Sequence, residues 1–266
     1  MLRVELVKQL LRARSIAALA ALAALPVIAG LVTASAAGHR NDHQQGLYGA
    51  APFSAVNHAA ASLEFVAPLL LALVVALLGS ALGAADRDWG TLRYLYVQPV
   101  SPRRLLAGKW SALAACCLLA TGCVLLAGLL TGLVVFGWHP FHRLGATSLP
   151  AAAATGRLLE AGGYVAVCML SVGTIALALG LVLHGAAEAL SVSVALVVIA
   201  NIIEGQPHLH AISAALPVHY WQRWTALLES GGSSAGLGTG LAVQLAATAV
   251  ALAAASVVLA RRDPAA

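Results

Sequence analysis

The order of apolar and polar positions divides the chain into six long apolar stretches, at residues 15–37, 63–85, 110–136, 163–183, 188–204 and 237–260. Each approaches or exceeds the ~20 residues that a helix needs to cross the hydrocarbon core of a bilayer. The pattern therefore predicts an all-α integral membrane protein with six transmembrane helices in a single domain, 1–266. Ala is abundant throughout these stretches, and small residues let helix backbones approach closely. Pro26 falls inside the first stretch, where packed neighbours can absorb a lost hydrogen bond. Ala34-Ser35-Ala36 resembles a small-residue cleavage site, but the 23 apolar residues before and through it exceed the roughly 7–15 of a signal-peptide core, so a retained first span is expected.

Three segments depart from this alternation. In residues 1–14, Glu5, Lys8, Gln9 and Arg12 share one sector of a helical wheel while Leu2, Val4, Leu6, Val7, Leu10 and Leu11 fill the rest, the pattern of an N-terminal amphipathic interface helix. Residues 86–109 form the only long charged segment between two membrane-length runs. There Thr91 can cap a short helix that ends before Pro99, and Ser101-Pro102 starts the next. Residues 205–236 are broken by Gly205-Gln206-Pro207 and again by Pro217, which predicts a re-entrant outer segment of two short helices before the last span.

Composition excludes a water-soluble fold: 61% of residues are hydrophobic, 9% are charged, and the mean hydropathy is +0.89. Eleven of the 15 Lys and Arg fall in the N-terminal segment, in 86–109 or at Arg261 and Arg262. By the positive-inside rule both termini and the 86–109 segment are expected in the cytoplasm, with the protein in the cell inner membrane. All five Trp fall at the ends of the apolar stretches or in loops, as in aromatic belts. Membrane lipid is the expected surroundings, and no nucleic-acid partner is expected.

Candidate chemistry is sparse. No G-x-x-x-x-G-K-[ST] occurs, and Gly108-Lys109 runs into Trp110 without the Gly-rich turn that cradles phosphates. The chain is thus not an enzyme by itself, has no catalytic residue and no bound cofactor, and must take energy from a partner or an ion gradient. A gradient-driven transporter would place ionisable groups near the midplane. Here Glu64, Glu160, Glu188 and Glu204 fall near span ends and the span centres lack charge. Eight of the nine histidines, His58 among them, are assigned to outer loops and read as solvated, with His39, Asp42 and His43 as weak metal candidates by spacing. Cys116, Cys117, Cys123 and Cys168 lie in spans and read as small packing groups. Asn201 suits an interhelical hydrogen bond or, with Glu204, a place along a substrate path.

These features together resemble the type-2 permease family of ATP-binding-cassette exporters. The most specific part is the loop Asp88-Trp89-Gly90-Thr91-Leu92-Arg93, followed by Pro99-Val100-Ser101-Pro102 and by Gly108-Lys109 at the foot of the third span. Asp88 stands where the family more often has Glu, and Arg93 where Glu is frequent. The resemblance implies a permease that pairs with a second copy, as homodimer or heterodimer, and is driven by two cassette ATPase subunits carrying ATP and Mg. It implies that the loop is a coupling helix whose contact residues are Asp88, Gly90, Thr91, Leu92, Arg93, Leu95, Tyr96 and Pro99. The expected cargo is an amphipathic, drug-like or lipidic molecule moved outward. The alternative within the family is a permease linked to metal or copper-enzyme maturation.

Overall fold

A computed structural model of the 266-residue chain describes residues 6–7, 9–35, 47–88, 102–142, 148–229 and 234–261. It is all-α, and among the described residues six helices are long and apolar enough to cross a membrane. The first is α1 (Ala13–Ser35). The second is made of α2 (Ala55–Val66) and α3 (Ala72–Asp88), joined by a π-helical turn at Ala67–Leu71. The rest are α4 (Pro102–Val135), α5 (Ala151–Val182), α6 (Ala186–Glu204) and α7 (Leu237–Arg261).

Several helices run longer than the apolar stretches, because local capping extends them through polar residues. Ser54 caps α2, its Oγ accepting the Asn57 N–H at 3.2 Å. The Asn57 side chain then bonds both backbone groups of His142, donating to its carbonyl at 2.8 Å and accepting its N–H at 2.9 Å. At the end of α4, Gly137 takes a left-handed φ of 79° and returns its N–H to the Gly132 carbonyl, a stop that suits glycine. His58 consequently lies on α2 and is 2% exposed. This corrects the expectation of a solvated loop histidine: its Nε2 meets the Pro26 carbonyl of α1 at 2.9 Å.

The centre of the bundle is the crossing of α3 and α5. Gly79 and Gly83 face Gly173 and Gly180 so closely that a Cβ on Gly180 would sit 2.6 Å from the Ser80 carbonyl oxygen. Close backbone approach of this kind is how helices associate where water offers no driving force. A similar crossing sets α4 on α2, where a Cβ on Gly132 would lie 2.7 Å from the Ala55 Cα. The helices α1, α6 and α7 pack around this centre, against α4, α3 and α5 respectively. They present large apolar side chains outward, among them Leu31, Ile199 and Val250, as lipid-facing surfaces do.

Candidate functional site

The polar contacts gather at the two ends of the bundle. One end carries the feet of the charged 86–109 segment and is called the basic end here; the other carries residues 205–229. The contact residues Gly90, Thr91, Leu92, Arg93, Leu95, Tyr96 and Pro99 lie outside the described residues, as do His39, Asp42 and His43. Asp88 closes α3.

What the structure describes at the basic end is how the segment is anchored. Lys109, on the second turn of α4, is wholly buried, and its Nζ lies 3.0 Å from Asp86 Oδ2 and 2.8 Å from the Leu82 carbonyl. A buried ammonium is tolerable only when its charge is paired and its donors are used. Next to Asp86, the Arg87 guanidinium donates to the carbonyls of Leu181, at 2.9 Å, and Leu183. Those carbonyls end α5, where a helix leaves acceptors without intrahelical donors and where a cation complements the dipole. Trp110 Nε1 donates to Thr174 Oγ1 at 3.1 Å, binding α4 to α5 again. Gln9 is buried and donates to the Leu78 carbonyl at 3.4 Å, while Val7 and Leu11 are exposed. Gln9, which the helical wheel groups with Glu5, Lys8 and Arg12, turns its amide toward α3. Four elements thus meet at the last three turns of α3.

The opposite end is organised around prolines. Pro68 in the π turn has no N–H to offer the Glu64 carbonyl four residues back. Gln222 Nε2 supplies the donor instead, at 3.2 Å, and Asn201 Nδ2 from α6 reaches the Pro68 carbonyl at 3.3 Å. Asn201 thus makes an interhelical bond. Gln244 of α7 donates to the Pro217 carbonyl at 2.7 Å and accepts from Ser171 Oγ at 2.5 Å. Tyr164 hydroxyl donates to the Tyr220 carbonyl at 2.7 Å. Glu204 lies 2.9 Å from His219 Nδ1, and Arg223 Nη2 lies 3.1 Å from His219 Nε2. Since a guanidinium can only donate, Nε2 is the acceptor and the imidazole proton sits on Nδ1, toward Glu204.

Residues 205–229 do not form the two short helices expected. They form brief turns, at Pro207–Leu209, His210–Ser213, Pro217–Tyr220 and Arg223–Leu227, three of them 3-10. Val218, Trp221, Trp224 and Leu227 are all buried; their spacing of three is the 3-10 repeat, in which such positions eclipse. Trp221 and Trp224 accordingly pack into protein, correcting their reading as interfacial belt residues.

Reasoning from the sequence did not single out Asp86, Arg87, Gln222 or Gln244. The signals present were a lysine at the foot of an apolar helix and amides close to prolines. Among the described residues no group of three or more His, Cys, Asp and Glu could hold a metal ion.

A family model described as ABC-2 family transporter protein matches residues 1–199, which reach from the N-terminus into α6. No curated protein matches the chain.

Proposed function

The chain belongs to the ABC-2 family of transporter proteins and is a multi-pass membrane permease of an ABC transporter, and from that premise we propose that it is the membrane subunit of an ATP-driven exporter. Two cassette ATPase subunits dock on the basic end, which faces the cytoplasm, and the 89–101 segment is the coupling element they engage. Two permease copies complete the assembly. The observation that carries this reading is the anchoring of the charged segment between the second and third spans. Its feet, Asp86 and Lys109, are held together by an ion pair in which Lys109 is wholly buried and Asp86 is half-buried.

The cargo is an amphipathic or lipidic molecule moved outward. Supporting this, among the described residues the buried polar groups within the bundle other than His58 and Lys109 are hydroxyls and amides, such as Ser171, Thr174 and Gln244, while His58 and Lys109 each already have a partner. An ionic cargo would need charged partners inside the membrane.

The test is purification with a cognate cassette ATPase. We expect co-purification, no hydrolysis by the permease alone, and hydrolysis by the complex that responds to added lipid or amphipathic drug. Transport by this chain alone, in ATP-free vesicles with an imposed proton gradient, would overturn the proposal.

A further inference from the structure

We propose that Asp86 and Lys109 are positioning residues that transmit the ATPase stroke, by making the end of α3 and the start of α4 a single moving part. This rests on the function proposed above and assigns a role that the coupling segment itself does not contain.

Taking an ammonium and a carboxylate out of water is expensive, and an apolar pair of similar volume would stabilise a fold as well or better. Lys109 is nevertheless wholly buried, about two helical turns inside the foot of α4, when Arg103 and Arg104 before it are exposed. Its two contacts both go to one element: the Asp86 carboxylate and the Leu82 carbonyl lie on successive turns of α3. A directional, two-point attachment resists sliding of α4 along α3 in a way that apolar packing does not. Asp86 and Lys109 also lie on either side of the 89–101 segment, on the helices that lead into and out of it, so a displacement that the backbone passes to either helix is shared with the other through the pair. From α3 the path continues into the bundle. Arg87, the next residue, holds the last carbonyls of α5, and α5 bears the close Gly180 crossing with α3. At its far end α5 meets residues 217–227 through Tyr164 and Arg157, which bond the Tyr220 and Leu227 carbonyls at 2.7 and 3.1 Å.

The experiment uses the full chain reconstituted with its ATPase and a reporter that needs no cargo. Glu229→Cys, in a Cys123→Ala background, places an exposed thiol at the opposite end, and its rate of maleimide labelling is measured with and without ATP and vanadate. Two variants are compared. Asp86→Leu with Lys109→Met removes the attachment but keeps apolar packing, and Asp86→Glu keeps the attachment. For the double variant we expect ATPase co-purification and hydrolysis within about twofold of the unsubstituted chain. Its nucleotide-dependent change in labelling should be at least about fivefold smaller, while Asp86→Glu retains most of that change. A full labelling response in the double variant would overturn the proposal. So would loss of the ATPase from it, since the pair would then serve assembly, and so would an Asp86→Glu response as small as the double variant's. If the unsubstituted chain fails to bind the ATPase at all, it is the function proposed above that falls.

Discussion

The two ends of this bundle solve the same problem with different chemistry. Both must satisfy carbonyls that a membrane leaves no water to solvate. At the basic end the donors are Lys109 and Arg87, and the carbonyls lie along α3 and at the end of α5. At the opposite end the carbonyls at or just before Pro68 and Pro217 are met by the neutral amides of Asn201, Gln222 and Gln244, while Arg157 donates to the Leu227 carbonyl and Glu204, His219 and Arg223 form a charged cluster beside them. Charge fixes the feet of the charged 86–109 segment. Amides appear where a helix has been broken on purpose, and where a charge without a partner would be too costly.

Both ends depend on the crossing of α3 and α5, and substitution there should do the most damage. Gly180→Leu forces a side chain into the Ser80 backbone, which cannot rotate away, so we expect little monodisperse protein by size-exclusion chromatography in detergent. Gly163→Leu, where a Cβ meets nothing within 4 Å, should be recovered at normal yield.

Each end can then be tested alone. At the basic end, Lys109→Met leaves Asp86 without this partner and should cost about 3–5 kcal/mol, whereas adding Asp86→Leu should return stability to within about 1 kcal/mol. Thermal unfolding in detergent reads both. At the opposite end, Trp224→Ala empties a fully buried indole site and should cost about 3–5 kcal/mol. It should act locally, raising protease cleavage within 205–229 before the rest of the bundle unfolds.

The smallest effect tests the amide explanation most narrowly. Gln222→Leu leaves the Glu64 carbonyl unsatisfied and should cost about 1–3 kcal/mol. Pro68→Ala returns an N–H that can reach that carbonyl, so in a Pro68→Ala background the same substitution should cost less, by about 1 kcal/mol. Equal costs in both backgrounds would show that Gln222 is not compensating for the proline.

Run length made the six spans legible in the sequence, because the bilayer imposes a minimum that chance rarely meets. Where the helices begin was less legible. Asn57 and His58 are polar and end the apolar count at 63, yet they are buried on α2, since Ser54 caps the helix and His142 and Pro26 supply partners. The pairing of Asp86 with Lys109 depends on how α3 and α4 approach, which no local pattern encodes. Lys109 stood out in the sequence only as a motif position. In 217–227 the period of three was present all along in Val218, Trp221, Trp224 and Leu227. A search for helical or belt positions passes over it, because runs of 3-10 geometry this long are uncommon.

The proposed function requires that the permease meet its ATPase at the basic end, through the segment whose feet the ion pair holds. Site-specific photo-cross-linking of the assembled complex tests it most directly, with a photoreactive amino acid placed at Leu95 in one preparation and at Glu229 in another. The account predicts an ATPase adduct from position 95 and none from position 229. No adduct from 95, or an adduct from 229, would contradict it.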